Sequence, residues 1–300
     1  MPKIKTFFLA TRPQFLPAII IPVALGASTA WDSAGIFKLK YFSLSLIAAV
    51  FYHAGMNVLN DYFDFFVGSD NINKKALTPF TGGSRFIQNG LLTPRQTGVL
   101  GAALVGAGSV IGIYLAVNTG WLLLAIGLLG LLSGICYSAP PVFLAGRGLG
   151  EITVGVNFGL LTVLGSYVVQ TGTIAPEAVF ASLPVSFLIS ALLYTNEFPD
   201  YEADRDAGKR TLVVRLGPER ARFYIAAFLG GAYLSIIIGA WLGYLPRLSL
   251  IALLSLVFAV PAARGVIKNY KGGAELIPSI KSIILAHMSA GILLVVSNLF

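Results

Sequence analysis

The stretch that decides the fold lies at residues 41–64 and reads YFSLSLIAAVFYHAGMNVLNDYFD. Its first part is apolar over a length close to the roughly 20 residues that an α-helix needs to cross a bilayer. Its end carries Asn57, Asn60, Asp61 and Asp64 at spacings of three and four, so in a helix these side chains share one face. The stretch therefore predicts a membrane-spanning helix whose polar end presents a cluster of oxygen-bearing side chains.

The composition of the whole chain also indicates a membrane protein. Of its 300 residues, 56% are apolar and only 11% are charged, and the mean hydropathy is +0.80. So few polar side chains leave too little polar surface for a water-soluble globule. The period-two alternation of an outer-membrane barrel is missing, and the single cysteine, Cys136, excludes an internal disulfide framework. We expect an all-α membrane protein with one domain over residues 1–300.

Long apolar runs bounded by polar or Gly/Pro clusters predict about nine transmembrane helices. They lie near residues 13–31, 41–63, 97–117, 121–138, 152–171, 178–198, 222–243, 247–268 and 278–300. An odd number of spans puts the two termini on opposite sides of the membrane. With this topology, 18 of the 21 Lys and Arg residues lie on the same side as the N-terminus, and the three exceptions are Lys38, Lys40 and Arg247. By the positive-inside rule, we expect a multi-pass protein of the cell membrane with its N-terminus in the cytoplasm.

The charges of the chain show a second asymmetry. The formal net charge of +8 follows from this topology and from contact with anionic lipids, so it does not indicate a nucleic-acid partner. All but two of the 13 carboxylates, Asp32 and Glu177, also lie on the inner side. The positive-inside rule does not require this, because acidic residues contribute little to orientation. We therefore expect a site on the cytoplasmic face that needs negative charge.

The acidic motif occurs twice in the chain. Residues 196–204, NEFPDYEAD, repeat the pattern of residues 60–64, NDYFD, at an offset of 136 residues, and Gly68 stands where the second motif has Asp204. An internal duplication explains the match, and such repeats commonly form a binding site where the two halves meet. We expect two pseudo-repeated halves around a central cavity, with both motifs at its inner end.

Both motifs offer oxygen ligands without a histidine or a thiol. Such a set selects a hard cation, Mg²⁺ above all, and Mg²⁺ usually shares substrate phosphates, so we expect one or two ions that bridge a diphosphate. Placing a charged side chain within a membrane helix costs about 2.5–3.5 kcal/mol on insertion scales. The two acidic motifs, which continue apolar helices, are therefore better explained by a function than as ordinary polar helix ends. The predicted metal ligands are Asn60, Asp61, Asp64, Asn196, Asp200 and Asp204.

The charges at such a site do not balance without basic side chains. Two Mg²⁺ ions cancel about four carboxylate charges and leave a diphosphate of roughly −3 uncompensated. Lys209 and Arg210 follow the second motif directly. The Gly-Gly-Ser-Arg turn that ends at Arg85 offers backbone N–H groups and a guanidinium. We expect Lys209, Arg210 and Arg85 to bind phosphate, although the positive-inside excess explains each of them equally well.

Four stretches together resemble the UbiA superfamily of intramembrane prenyltransferases. They are residues 60–64 (NDYFD), 81–94 (TGGSRFIQNGLLTP), 137–151 (YSAPPVFLAGRGLGE) and 196–217, which contains NEFPD and AGKRT. The last stretch most resembles the branch that prenylates 1,4-dihydroxy-2-naphthoate in menaquinone synthesis. The resemblance implies nine helices around a central cavity, two Mg²⁺ ions and a polyprenyl diphosphate donor. The principal metal ligands that it implies are Asn60, Asp64, Asp200 and Asp204.

The resemblance also implies a mechanism. The allylic C–O bond ionises, the Mg²⁺ ions held by Asp64 and Asp200 stabilise the diphosphate together with Lys209, and the electron-rich ring attacks the cation. Tyr137 presents its ring face to that cation, or it is an interfacial tyrosine. Arg12 or Arg147 orients the carboxylate of the acceptor, which leaves as CO₂, and the spacing does not choose between them.

Several assignments stay open from the sequence. Asn57 completes the predicted substrate-binding set, and His53 either touches the acceptor or is a satisfied histidine inside the membrane. The family's first motif often has a third acid where this chain has Gly68, and the next acid here is Asp70. The pairs Gly108/Gly112 and Gly155/Gly159 predict close helix packing.

Other functions are less consistent with the pattern. The acceptor is also compatible with 4-hydroxybenzoate, as in ubiquinone synthesis, or another aromatic or isoprenoid compound. A cation transporter needs ionisable groups along the membrane depth, whereas those of this chain cluster at one end. A phosphoalcohol transferase would hold its acids in a single block of sequence, whereas these lie 136 residues apart.

Overall fold

The computed structural model describes residues 4–68, 77 and 80–300. Every regular element within these ranges is helical. The first membrane helix, α1 (Pro17–Ala34), continues from Ile4–Phe15 across a bend of 57°, and eight further helices are long and apolar enough to span a bilayer. They are α2 (Leu39–Val67), α3 (Pro94–Thr119), α4 (Trp121–Ser138), α5 (Gly150–Thr171), α6 (Pro176–Asp206), α7 (Pro218–Trp241), α8 (Arg247–Lys268) and α9 (Ala274–Ser297). The predicted all-α bundle of about nine membrane helices is confirmed.

The helix ends follow from local sequence signals. Helix α3 begins with a capping box, in which the Thr93 hydroxyl accepts from the Gln96 backbone N–H at 3.2 Å and the Gln96 side chain accepts from the Thr93 N–H at 2.9 Å. Helix α2 ends at Gly68, which adopts φ +88° and donates its N–H to the Asp64 carbonyl at 2.9 Å. A side chain at this left-handed position would be strained, so glycine suits the end of this helix. Asp70 lies outside the described residues.

Helix α6 extends beyond the predicted span. The apolar run indicated an end near residue 198, but the helix continues through Pro199 to Asp206. A proline inside a helix removes one backbone donor, and the turns on either side of Pro199 hold the helix together. The second acidic motif therefore lies on one continuous helix, with Asn196, Asp200 and Asp204 one turn apart.

Helix α6 also lies at the centre of the packing. It packs against α7 and α9, while α2 packs along α3 and α1 along α5. Buried residues join these helices into one core, including Leu188, Tyr194 and Phe198 of α6 and Ile225 and Ile236 of α7. Helix α6 is therefore held firmly, and the acidic motif at its end has a defined position.

Glycines allow two of these close approaches. A Cβ atom at Gly108 would lie 2.9 Å from the Tyr52 ring on α2, and Gly155 and Gly159 of α5 pack against serines of α6. Around them, α5 forms a π-helix at Gly155–Leu161, which widens the turn and redirects its side chains. The predicted close packing at Gly112 is wrong, because a Cβ atom there would meet no described atom within 4 Å. Gly112 lines the central cavity instead.

Candidate active site

A cavity of about 580 Å³ lies in the middle of the bundle. Its long inner wall is apolar, and its polar end carries the two acidic motifs together. The motif residues that line it are Asn60 and Asp64 from α2 and Asn196, Asp200 and Asp204 from α6. Lys209, Tyr137, Asn57 and Arg12 line the same cavity. The helix ends that the sequence predicts to meet are thus brought to one site.

The first motif is organised around Asp64, which is buried. Its Oδ2 accepts a hydrogen bond from Asn60 Nδ2 at 3.0 Å, and the same amide donates to Ser138 Oγ of α4 at 2.9 Å. The Oδ1 of Asp64 is also buried, and among the described residues no hydrogen-bond partner faces it. A buried acceptor in that condition is costly unless a ligand satisfies it.

The second motif is joined to the first by Lys209. The Lys209 Nζ lies 3.6 Å from Asp204 Oδ1. Burial opposes the charge of Lys209, but the carboxylates of Asp204 and Asp64 outweigh this and raise the pKa of the ammonium well above its usual value. Lys209 is therefore a fixed positive charge between the acids of α6 and the acid of α2.

The donor set fits a hard cation. The buried Oδ1 atoms of Asp64 and Asn196 have no hydrogen-bond partner among the described residues, and both residues line the cavity. In the described part of the chain, no three His, Cys, Asp or Glu side chains stand close enough to hold a metal ion by themselves. Carboxylate and carboxamide oxygens suit Mg²⁺, which binds through one or two carboxylates and completes its shell with waters and substrate phosphates.

Asp61 has a different environment from the predicted one. Its Oδ1 forms an ion pair with the Arg12 guanidinium and accepts the Ser84 backbone N–H at 3.2 Å. Asp61 does not line the cavity, whereas Arg12 does and also donates to Asn60 Oδ1 at 3.4 Å. Asp61 Oδ1 thus holds Arg12 and the loop at Ser84, while its buried Oδ2 has no hydrogen-bond partner among the described residues, so its role as a metal ligand stays a prediction. Its carboxylate lies on the side of α2 that faces the N-terminal segment.

Three predicted phosphate or carboxylate ligands lie outside the cavity lining. Arg147 is exposed and donates to the Pro141 carbonyl at 2.8 Å. Arg210 is exposed, and its backbone N–H bonds the Gly146 carbonyl at 2.9 Å. Arg85 is half-buried, and the glycines before it, Gly82 and Gly83, line the cavity in its place. Arg85 and Arg210 lie in loops and Arg147 ends the short 3-10 helix Leu144–Arg147, and in such segments sequence proximity to a motif does not fix the side-chain direction.

Sequence reasoning missed a pair of buried glutamates. Glu151 is 2% exposed and Glu197 is 7% exposed, and their carboxyl groups lie close enough to interact. Glu197 also accepts the Val213 N–H at 3.3 Å, which fixes the segment after Lys209 to α6. A glutamate opening an apolar span was the available signal for Glu151.

Comparison with known sequences assigns the chain to a family. The model of the UbiA prenyltransferase family matches residues 19–275. The chain is 32% identical over 229 residues to the 1,4-dihydroxy-2-naphthoate octaprenyltransferase of Escherichia coli, covering 74% of this chain and 71% of the relative. It is 27% identical over 259 residues to the Bacillus subtilis protein of the same name, covering 86% of this chain and 81% of the relative.

Solved structures show the same fold at low identity. A UbiA homologue from Archaeoglobus fulgidus bound to DMAPP and Mg²⁺ has a TM-score of 0.69 and 16% identity, over 97% of this chain and 99% of that one. A UbiA homologue from Aeropyrum pernix has a TM-score of 0.70 and 20% identity, over 92% of this chain and 96% of that one. The resemblance noted from the motifs is confirmed: the chain belongs to the UbiA prenyltransferase family and is a prenyltransferase of the membrane.

Proposed function

We propose that the chain transfers a polyprenyl group from its diphosphate to 1,4-dihydroxy-2-naphthoate, with loss of CO₂, in menaquinone synthesis. The observation that carries this proposal is the meeting of two acidic motifs and Lys209 at one end of an apolar cavity. The names of the Escherichia coli and Bacillus subtilis relatives support the acceptor. We further propose that the whole chain forms one domain and that the site faces the cytoplasm, because the basic residues gather at that end.

We infer that two Mg²⁺ ions serve the reaction. The residues that would hold them are Asn60 and Asp64 on α2 and Asn196, Asp200 and Asp204 on α6, while Asp61 Oδ1 pairs with Arg12. A bound Mg²⁺ supplies Lewis-acid neutralisation of the diphosphate oxygens. The Archaeoglobus fulgidus homologue, whose structure holds DMAPP and Mg²⁺, supports the use of this ion.

The protein's own residues stabilise the charge of the leaving group and exclude water from the reaction. Lys209 offers a permanent ammonium to the diphosphate as the allylic C–O bond breaks. The apolar wall of the cavity houses the prenyl chain and keeps water from the allylic cation. Tyr137 lines the cavity near Lys209, and we propose that its ring stabilises the allylic cation.

The acceptor needs a cation for its carboxylate. Arg12 lines the cavity and is held by Asp61, whereas Arg147 is exposed and turned to a loop carbonyl. We therefore propose Arg12 for this role. The ring carbon that bears the carboxylate forms a bond to the allylic carbon of the prenyl group. The C–C bond between that ring carbon and the carboxylate then breaks and releases CO₂, which restores the aromatic ring.

The experiment is a product assay with purified protein in lipid nanodiscs. It combines Mg²⁺, a polyprenyl diphosphate and either 1,4-dihydroxy-2-naphthoate or 4-hydroxybenzoate, and the lipid products are identified by mass. We expect a prenylated, decarboxylated naphthalene product, which Asp64→Ala and Asp200→Ala abolish and Arg205→Gln, at an exposed site, leaves unchanged. A product with 4-hydroxybenzoate alone would overturn the acceptor, and near-normal turnover in either Asp variant would overturn the metal assignment.

A further inference from the structure

His53 is a buried polar residue in the apolar part of the cavity. It lies on α2 seven residues before Asn60, is 6% exposed and lines the cavity. Its ring meets the ring of Phe158 edge-on, with centroids 5.3 Å apart. Phe158 belongs to the π-helical segment of α5, so this widened turn helps to hold the histidine in place.

The hydrogen bonds of Asn57 determine which ring nitrogen of His53 carries the proton. Asn57 Nδ2 lies 3.3 Å from the Thr11 carbonyl oxygen and 3.0 Å from His53 Nε2. Because a carbonyl only accepts, the amide nitrogen faces Thr11, and its second N–H points at Nε2. His53 Nε2 is therefore an acceptor, and the proton of the neutral imidazole is on Nδ1.

The Nδ1–H group of His53 lacks a partner. The atom is buried, and no group in the described part of the chain accepts its hydrogen bond. A buried donor left unsatisfied costs about 1–3 kcal/mol, so a ligand that brings an acceptor atom gains that interaction. The cavity lining thus includes, away from its charged end, a neutral donor that has no partner among the described residues.

The depth of His53 limits what this ligand is. An α-helix rises about 1.5 Å per residue, so His53 lies about 10 Å from Asn60 and about 16 Å from Asp64 along the axis of α2. A diphosphate held at the acidic motifs does not reach that depth. A polyprenyl chain has no polar atom to offer. Of the proposed substrates, only the aromatic acceptor brings an oxygen there.

We propose that His53 Nδ1–H donates a hydrogen bond to the 4-hydroxyl oxygen of 1,4-dihydroxy-2-naphthoate, an inference that rests on the proposed function. The carbon that receives the prenyl group carries the carboxylate, so the carboxylate faces the diphosphate and Arg12. The hydroxyl remote from that carbon then points deeper, toward His53. An uncharged donor suits a hydroxyl, whereas the carboxylate needs the guanidinium. His53 is thus a determinant of acceptor specificity.

The test removes the two partners of this hydrogen bond one at a time. Binding of 1,4-dihydroxy-2-naphthoate and of 1-hydroxy-2-naphthoate, which lacks the 4-hydroxyl, is measured anaerobically by calorimetry in nanodiscs with Mg²⁺ and inorganic diphosphate. The variants are His53→Leu, His53→Gln and, as a matched control, His287→Leu. His287 is a second buried histidine inside a membrane helix, and it does not line the cavity.

We expect the wild type to bind the dihydroxy compound about tenfold more tightly than the monohydroxy compound. His53→Leu should bind the two alike, His53→Gln should keep part of the preference through its amide N–H, and His287→Leu should behave as the wild type. In the product assay, His53→Leu should raise the KM for the acceptor and leave the KM for the polyprenyl diphosphate unchanged.

Two results separate this inference from the proposed function. If the wild type makes the naphthalene product but binds both compounds equally, or if His53→Leu keeps the preference, the role of His53 is overturned while the function stands. If the wild type binds neither compound and makes no naphthalene product, the proposed acceptor fails and the inference fails with it. If His53→Leu does not fold, the His53→Gln variant decides the question. The donor role is contradicted if His53→Gln shows no preference for the dihydroxy compound and has an unchanged KM for the acceptor.

Discussion

Lys209 is the residue through which the two acidic motifs interact. Its ammonium lies 3.6 Å from Asp204 and also interacts with Asp64 and Asp200. The charge sits between helices that are far apart in sequence, and burial makes each of these attractions stronger than it would be in water. Lys209 therefore holds the acids of both helices together, and in the proposed reaction it faces the diphosphate.

Replacing Lys209 by Gln should lower kcat by about 100-fold or more, because a preorganised charge on a leaving group contributes that much. The loss is measured by the rate of diphosphate release at saturating donor and acceptor. Arg205→Gln is the control, since Arg205 is exposed and pairs with its neighbour Asp206. A Lys209→Gln enzyme with a normal kcat would show that this charge does not act on the leaving group.

Arg12 and Asp61 form a partly buried ion pair, with 17% and 6% of their side chains exposed. Arg12→Ala leaves the Asp61 carboxylate buried without its cation, which we expect to destabilise the protein by about 3–5 kcal/mol. The melting temperature of the protein in detergent should fall, and the double variant Arg12→Ala/Asp61→Ala should recover part of the loss. Additive losses in the double variant would mean that the two side chains act independently.

At the residue scale, the sequence predicts side chains well only where a helix fixes their direction. For Asn60, Asp64, Asp200 and Asp204, the shared direction toward the cavity was predictable, because residues four apart lie on one face of a helix. Asp61 and Glu197 occupy equivalent positions in the repeat, yet one pairs with Arg12 and the other with Glu151. Their partners come from other segments of the chain, and local periodicity carries no information about those contacts.

At the element scale, the π-helical segment of α5 depends on glycine. A Cβ atom at Gly159 would lie 2.5 Å from Ser186 Cα. We expect Gly159→Ala to separate α5 from α6 and to cost about 1–3 kcal/mol, as overpacking does. Thermal unfolding in detergent measures the change.

Gly106→Ala is the matched control for that variant. Gly106 is exposed on α3, and a Cβ atom there would meet no described atom within 4 Å. The substitution should be neutral or stabilising by up to about 1 kcal/mol, because alanine favours a helix interior over glycine. Equal losses at the two sites would contradict a packing role for Gly159.

The apolar runs predicted the membrane helices themselves, because bilayer thickness sets their length. Their bounds and irregularities were less predictable. Helix α6 passes Pro199 because the surrounding core holds it, and the π-turn of α5 arises from packing against α6. Both features result from tertiary contacts, which a pattern along one segment does not contain.

At the scale of the whole molecule, the distribution of basic residues predicts the sidedness of the site. Arg205, near the site, and Lys40, at the opposite end of the bundle, are both exposed. Each is replaced by Cys in a Cys136→Ser background, so that the new thiol is the one available for labelling. In intact cells, an impermeant maleimide should label Lys40→Cys and not Arg205→Cys, and it should label both after permeabilisation. The reverse pattern would invert the orientation.

The meeting of the two motifs was predictable from the duplication, since repeats place equivalent ends together. The shape of the cavity and the place of Arg12 were not, because they depend on how the N-terminal segment folds back onto α2. The proposed reaction requires that α2 and α6 act on one diphosphate through shared metal ions.

The most direct measurement of that requirement is ³¹P electron–nuclear double resonance of protein loaded with Mn²⁺ in place of Mg²⁺ and a non-hydrolysable polyprenyl thiodiphosphate. We expect ³¹P couplings from diphosphate bound to Mn²⁺ in the wild type, and a loss of bound Mn²⁺ and of these couplings in both Asp64→Ala and Asp200→Ala. Absence of ³¹P coupling in the wild type, or couplings that survive either substitution, would contradict a metal site shared by the two helices.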